Sequence, residues 1–527
     1  VFVPLSPIEF LRRAERLYPE QVAVVDGARR FTYREYAERA HRLANALLDL
    51  GLGPGDRVAY LSYNSYPLLE GYFGVLEAGG ILLPINIRLS AGDIAYILND
   101  AAATFLLADH DFAPVVDTIW PSLQYKPAVV WLSGVPHGYR GADYDALLRQ
   151  ASPAGPEPSL DENSVAELFY TSGTTGRPKG VMLSHRALYL HALNFLTLLP
   201  TDEQDVQLHT IPLFHVNGWG TPQILPVVGA RHVMLRRFDP GEALRLIEEE
   251  RITRLYAVPT MLTMMINHPD VDQRNLESLK VVLVGGGPIA PELLRQAEET
   301  LGCRVIAGYG LSETSPVIAL VAGKAGLEDL PADERIRRQA STGLPLTGVD
   351  LRVVDDSGRE VAADGQAIGE IVVRSNVVMT GYWRDDEATR DAMRGGWFHT
   401  GDMAVVDGEG YVQIVDRKKD IIISGGENIS SVEIENALYA HPAVLECAVI
   451  GVPDEQWGEV PLALVALKPG KSAGESDLIA HCRLTLAGFK VPRSVRFREG
   501  LPKGGTGKIL KRELREPFWS GQERRVH

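Results

Sequence analysis

The sequence predicts an α/β fold. A large N-terminal domain of mostly parallel, helix-covered sheets, carrying a small antiparallel barrel or sheet at its end, is followed by a smaller α+β C-terminal domain. Three observations predict it. Short apolar runs alternate with amphipathic stretches between residues 32 and 319, and strand alternating with helix requires parallel pairing with helices over the faces. From residue 349 to 415 the runs shorten and are separated by glycine and aspartate turns, as antiparallel strands are. A charged run, Asp416-Arg417-Lys418-Lys419-Asp420, then precedes a compact stretch of mixed helix and strand. The predicted division is residues 1–416 (the barrel-like part at about 345–416), a linker at 417–420, and residues 421–527.

The elements follow in order. Ser6-Pro7-Ile8-Glu9 offers an N-cap, a proline at the first helical position and a glutamate to close a capping box. Thr32-Tyr33-Arg34-Glu35 repeats the signal, Tyr36, Ala40, Leu43, Ala44 and Leu47 keep helical spacing behind it, and Gly51 stops the helix. Strands are predicted at 57–61, 81–85 and 104–107, then at 166–170, 206–211, 232–235, 254–258, 281–284 and 304–306. The antiparallel part has strands at 349–354, 369–375, 404–406 and 411–415. Beyond the charged run, 431–439 and 478–487 read as helices, and 444–452, 462–467 and 494–497 as strands.

Composition narrows the function classes. A chain of 527 residues exceeds one ordinary domain, and 45% hydrophobic with 23% charged residues suits a soluble globular protein. A net charge of −15 argues against a nucleic-acid partner, although local basic clusters still bind small anions. Cys303, Cys447 and Cys482 are far apart, so neither a disulfide framework nor a zinc site is indicated. Three unpaired thiols suit a reducing compartment, the first residues show no signal-peptide pattern, and no apolar stretch approaches the ~20 residues that span a bilayer. The expectation is a soluble, cytoplasmic protein without a transmembrane segment.

The most informative stretch is Tyr170-Thr171-Ser172-Gly173-Thr174-Thr175-Gly176-Arg177-Pro178-Lys179-Gly180, which follows an apolar strand and precedes another. Its glycines allow close approach of backbone N–H groups to a phosphate, and its hydroxyls and Lys179 add donors and a charge. It is not a Walker loop, since GxxxxGK[ST] is absent. Further segments are Gly285-Gly286-Gly287-Pro288 after a strand, Tyr309-Gly310-Leu311-Ser312-Glu313-Thr314, Thr400-Gly401-Asp402, the charged run with Arg417 and Lys419, Gly425-Gly426-Glu427-Asn428, and Pro502-Lys503-Gly504-Gly505-Thr506-Gly507-Lys508.

Together these segments, in this order from about residue 31 to 510, resemble the adenylate-forming superfamily of acyl-CoA synthetases, luciferases and adenylation domains, and the fatty acyl-CoA synthetases most. The resemblance implies that Thr171, Ser172, Gly173, Thr174, Thr175, Gly176 and Lys179 form a loop over the ATP phosphates. It implies that Gly286, Gly287, Tyr309 and Gly310 lie by the adenine and AMP, that Thr314 reaches the α-phosphate, and that Glu313 holds Mg²⁺. Asp402 and Arg417 take the ribose, Lys419 is the hinge of a mobile C-terminal domain, and Gly425, Gly426 and Glu427 line a coenzyme A tunnel. Lys508 is the catalytic lysine, and Lys503 is assigned no chemistry.

The segment Pro212-Leu213-Phe214-His215-Val216-Asn217-Gly218-Trp219-Gly220 is implied to face the acyl pocket, with His215 near the substrate carboxylate, Asn217 and Gly218 beside it, and Trp219 as a gate. It lacks the aspartate by which amino-acid-activating relatives pair an α-amino group. The expected reaction is carboxylic acid, ATP and coenzyme A giving acyl-CoA, AMP and pyrophosphate, on medium- to long-chain fatty acids. The alternatives are short, branched, thioether or aryl acids, or delivery to a separate carrier protein. Many relatives dimerise, and no residue here demands it.

Overall fold

The computed structural model describes residues 1–171, 177–321, 324, 326–327, 329–504 and 508–519. Among the described residues the N-terminal part contains two large sheets. One has nine strands, in the order Leu344–Pro345, Val317–Leu320, Arg304–Gly310, Val281–Val284, Arg254–Ala257, Val206–His209, Arg231–Met234, Val22–Asp26 and Arg29–Thr32. From Arg304–Gly310 across to Val22–Asp26 the pairing is parallel. The other has eight strands, in the order Gly381–Tyr382, Lys179–Ser184, Val165–Thr171, Ile81–Pro84, Arg57–Leu61, Phe105–Ala108, Ala128–Trp131 and Ala142–Asp143.

The central strands read as apolar runs because both of their faces are buried. Leu255, Val282, Leu283 and Val305 are all nearly inaccessible, with helices such as Pro240–Glu249 and Pro291–Leu301 supplying Ala243, Leu244, Leu294 and Ala297 to the same core. The helix Tyr33–Asp49 begins as expected: Thr32 Oγ1 accepts from Glu35 N while Glu35 returns to Thr32 N. The first helix, Ile8–Leu17, differs. Its N-cap is Pro7 with no side-chain cap, because the Ser6 hydroxyl is within 3.0 Å of His185 Nδ1 and Glu9 pairs with Arg12. The Ser6 hydroxyl keeps a longer local contact from Ile8 N at 3.4 Å, but the box to Glu9 does not form.

Val349–Val354, Gly369–Ser375, Phe398–Val406 and Val412–Arg417 form an antiparallel four-stranded sheet. The third strand is longer than its apolar pattern indicates, since it runs through Thr400-Gly401-Asp402 with a shift of register at Met403/Ala404. The smaller C-terminal α+β part has its own core around Ile422, Ile434, Leu438, Val449 and Val465. Its hairpin Val444–Asp454 with Gly458–Leu467 is flanked by Ile422–Ser424 and by the parallel strand Ser494–Phe497. Across the charged run, Ser431 N and Oγ donate to the buried Asp416 Oδ2 at 2.8 and 2.5 Å, and Ser430 Oγ donates to Val415 O.

Candidate active site

The site is assembled from strand ends and turns of both parts. At the end of Arg304–Gly310 the buried Tyr309 hydroxyl donates to Asp402 Oδ2 at 2.7 Å, and Arg417 Nε lies 3.6 Å from Asp402 Oδ1. Asp402 and Arg417 face each other because their strands are adjacent and paired at that register. The three side chains expected at adenine and ribose thus form one group, joined by a hydrogen bond and an ion pair. Burial, and then the Asp402 charge, push the Tyr309 hydroxyl well above its ordinary range, so it stays a donor. Gly310 admits no side chain, because a Cβ there would stand 1.8 Å from Pro316 O.

Glu313 follows in the short turn Ser312–Thr314. Burial raises its carboxyl above the usual range, and Tyr382 donates to Glu313 Oε1 at 3.0 Å. The same Tyr382 ring receives Lys179 Nζ 5.2 Å from its centroid, and Lys179 is also 3.5 Å from Asp385 Oδ2. Tyr382 and Asp385 are site residues that the motif reading missed. A partly desolvated carboxylate short of counter-charge fits a divalent cation, and Mg²⁺ takes few protein carboxylates, filling its shell with phosphate oxygens and water. Among the described residues no group of three or more His, Cys, Asp or Glu side chains offers a metal cage.

Thr314, expected at the α-phosphate, lies in the same turn. It is fully buried, and its Oγ1 accepts from Leu311 N and donates to Pro316 O at 2.7 Å. Its hydroxyl is thus engaged within its own turn. Ser172, Gly173, Thr174, Thr175 and Gly176 lie outside the described residues, and Thr171 and Lys179 are paired across the two strands that flank them.

The acyl-side segment has an unusual backbone. Val216, Asn217, Gly218, Trp219 and Gly220 have φ of 39, 40, 52, 64 and 91°, a left-handed turn leading into a right-handed helix up to Val228. Trp219 is buried with its ring stacked on Tyr256 (centroids 5.9 Å apart). It lies so close to the glycine run that a Cβ on Gly285 would be 3.1 Å from the indole, and one on Gly286 3.6 Å. Gly287 has open space around it. Burial, and then the Lys508 charge, lower His215 to about 4, so it is neutral at pH 7.

Lys508 comes from the C-terminal part. The chain around it folds back on itself, with Gly504 N donating to Lys508 O, Leu510 N to Pro502 O, and Lys503 pairing with Ile509. Lys503 Nζ is anchored to Glu446 at 2.6 Å, a structural ion pair. Lys508 is close enough to Arg417 and Asp402 for their charges to act on it, and burial, followed by Arg417, lowers it to about 8. Gly425 and Gly426, with φ of 60 and 91°, form the exposed tip of the hairpin between Ile422–Ser424 and Glu427–Ile429, and a Cβ on Gly425 would meet the Trp457 ring at 2.7 Å. Lys419 is lowered by burial and by Arg417.

Residues 11–383 match the family model described as AMP-binding enzyme, and residues 433–508 match that of the AMP-binding enzyme C-terminal domain. The chain belongs to the AMP-binding enzymes. This AMP-binding enzyme is 41% identical over 522 residues, 97% of its chain and 95% of the relative, to a long-chain-fatty-acid–CoA ligase of Thermus thermophilus. It is 37% identical over 539 residues, 98% of its chain and 94% of the relative, to the peroxisomal acetate/butyrate–CoA ligase AAE7 of Arabidopsis thaliana. Its structure matches that of the anthranilate CoA ligase AuaEII in complex with anthranoyl-AMP with a TM-score of 0.90, at 28% identity and covering 98% of both chains.

The AMP-binding enzyme is therefore an ATP-dependent, adenylate-forming ligase related to the acyl- and aryl-CoA ligases. The cytoplasmic expectation does not survive, because a relative matched over nearly its whole length is peroxisomal. All three thiols are buried, and buried thiols do not sample the redox state of a compartment. Among the described residues no helix is long and apolar enough to cross a membrane.

Proposed function

We propose that this enzyme activates a compact carboxylic acid (short, branched or aryl) as its acyl-adenylate and passes the acyl group to the thiol of coenzyme A. The observation that carries the reading is the Tyr309–Asp402–Arg417 group, with the buried Lys508 near enough for the charges of Arg417 and Asp402 to act on it. Lys508 brings one ammonium from the C-terminal part to this group.

A carboxylate oxygen attacks the α-phosphorus of ATP, the bond to the bridging oxygen breaks, and pyrophosphate leaves with the electron pair. Both reactants are anionic, so the protein's work is neutralisation and in-line placement. Lys508 bridges the carboxylate and the α-phosphate. Asp402, an acceptor on both oxygens, takes the ribose hydroxyls and is aimed by Tyr309. Neutral His215 lies beside the carboxylate without adding repulsion or charge. Lys179, steadied by Tyr382 and Asp385, faces the departing pyrophosphate. Glu313 is the residue to hold Mg²⁺, which when bound supplies positive charge to the phosphates. The C-terminal domain then turns about Lys419, withdrawing Lys508 and bringing in the Gly425-Gly426-Glu427 tip. The coenzyme A thiol loses its proton to solvent, its sulfur attacks the acyl carbonyl, the C–O bond to the phosphate breaks, and AMP leaves with the electron pair.

The compact-acid reading is supported by Trp219, which is closed on Gly285 and stacked on Tyr256, and by the short- and aryl-acid ligases among the relatives, while a long-chain ligase among them keeps the medium- to long-chain acids in the test. The test is AMP and thioester formation over acids from acetate to stearate, with branched and aryl members, with and without coenzyme A. The expected result is coenzyme-A-dependent thioester with an optimum among short, branched or aryl acids. An optimum at long chains reverses the pocket assignment, AMP without thioester shows a carrier-protein acceptor, and no AMP with any acid overturns the reading.

A further inference from the structure

Glu167 is a buried acid that the mechanism above does not use. It lies on the strand Val165–Thr171, four positions before the start of the phosphate loop, and is inaccessible to solvent. Asn217 Nδ2 donates to its Oε2 at 3.0 Å and Gln223 Nε2 to its Oε1 at 2.6 Å. Burial without a cation pushes the carboxyl up to about 8, so it is mostly protonated at pH 7. A protonated carboxyl carries one O–H donor. The oxygens Asn217 Oδ1 and Gln223 Oε1, both buried and without a partner, are the acceptors for it once one amide is turned over, an orientation set by hydrogen bonding.

The two amides sit on the left-handed turn and on the helix that leaves it. A left-handed conformation is unfavourable for a residue bearing a Cβ, least so for asparagine, and Val216 and Trp219 adopt it beside Asn217. The turn's entry is clamped independently: Leu213 N donates to Asn64 Oδ1, Asn64 Nδ2 donates to His209 O and Ile211 O, and Tyr72 donates to Leu213 O. Its interior and exit converge on Glu167.

We propose that Glu167 is a positioning residue that holds the Val216–Gly220 turn in its left-handed form, thereby fixes Trp219 against Gly285, and so sets which acids the pocket accepts. This rests on the reading of His215–Trp219 as the acyl wall. It also ties that wall to the strand carrying Thr171, so acyl side and phosphate side share one rigid element.

The test compares Glu167→Leu, which removes the acceptor, with Glu167→Gln, which keeps an acceptor and a donor. Pyrophosphate exchange gives KM for acid and for ATP across the acid panel, and hydrogen exchange follows the amides of residues 213–223. For Glu167→Leu, which removes the buried hydrogen bonds to both Asn217 and Gln223, we expect KM for the best acid to rise at least about tenfold. Discrimination between short and long acids should fall by a similar factor, KM for ATP should stay nearly unchanged, and exchange should quicken in 213–223 but not in 206–209. Glu167→Gln should restore most of both. If Glu167→Leu does not fold, Gln223→Leu removes half of the same contact from the other side and should move the same quantities in the same direction. Unchanged acid selectivity overturns the proposal, and so does a parallel loss for acid and ATP with exchange rising throughout the domain. If the wild type adenylates no acid, the acyl-wall reading has failed, and the exchange arm alone decides whether Glu167 holds the turn.

Discussion

Lys508 illustrates how one side chain's surroundings set its chemistry. Burial and Arg417 lower it to about 8, so its charge is present below that pH and lost as pH rises through it. The kcat/KM for adenylation, which reports the free enzyme, should therefore fall above about pH 8. Lys508→Arg, charged throughout, should lose that limb while remaining slow, because a planar guanidinium does not replace a compact ammonium. A profile flat to pH 10 with the native lysine would contradict the assignment. Tyr382 makes a second prediction. Its hydroxyl is a hydrogen bond to a partly desolvated carboxylate, worth about 1.5–3 kcal/mol, so Tyr382→Phe should lower kcat/KM for ATP by about tenfold or more without changing acid selectivity. Neither Tyr382 nor Asp385 could be found from motif reading, since they meet Lys179 across some two hundred positions and sit in an ordinary turn sequence. The family is legible in these motifs because phosphate chemistry concentrates glycine, hydroxyls and lysine in short stretches. The bonds of Thr314 within its own turn were not legible, because a hydroxyl that serves its turn looks the same in sequence as one that serves a ligand.

At the scale of elements, the parallel strands were the most legible feature. Val281–Val284 was read to the residue because burial on both faces leaves an unbroken apolar run between turns. Phe398–Val406 was read only at its apolar end, since its first half contains the polar ribose-side residues. The box at Ser6 failed because His185, far along the chain, takes the hydroxyl, and no local rule sees such a partner. Gly310 shows where an element fixes a residue type. With Pro316 O 1.8 Å from a Cβ, Gly310→Ala forces backbone apart and should destabilise by about 3 kcal/mol, the upper end of overpacking costs. Thermal unfolding would register this as a lowered Tm, and an unchanged Tm would mean the turn relaxes freely.

For the whole molecule the question is how one enzyme serves two half-reactions. Lys508 is buried within reach of the Arg417 charge, while the Gly425-Gly426 tip is exposed. The hydrogen bonds of Ser430 and Ser431 to Val415 and Asp416 lie on opposite sides of residues 417–420 and must open if the turn occurs at Lys419. Lys419→Pro, which fixes a backbone dihedral, should leave adenylation nearly intact and slow thioester formation at least about tenfold. Equal effects on both steps would move the hinge elsewhere. The sequence shows the charged run and the change of texture around it, but not the arrangement of the two parts, because that depends on contacts between surfaces rather than on periodicity.

The central claim is that Lys508 serves adenylation and then leaves, and Lys508→Ala tests it most directly. Pyrophosphate exchange measures the first half-reaction, and acyl-CoA formation from synthetic acyl-adenylate measures the second. The account predicts a loss of about 100- to 1,000-fold in the first, as for other removed charge-stabilising groups, with the second near the wild-type rate. An equal fall in both would contradict it.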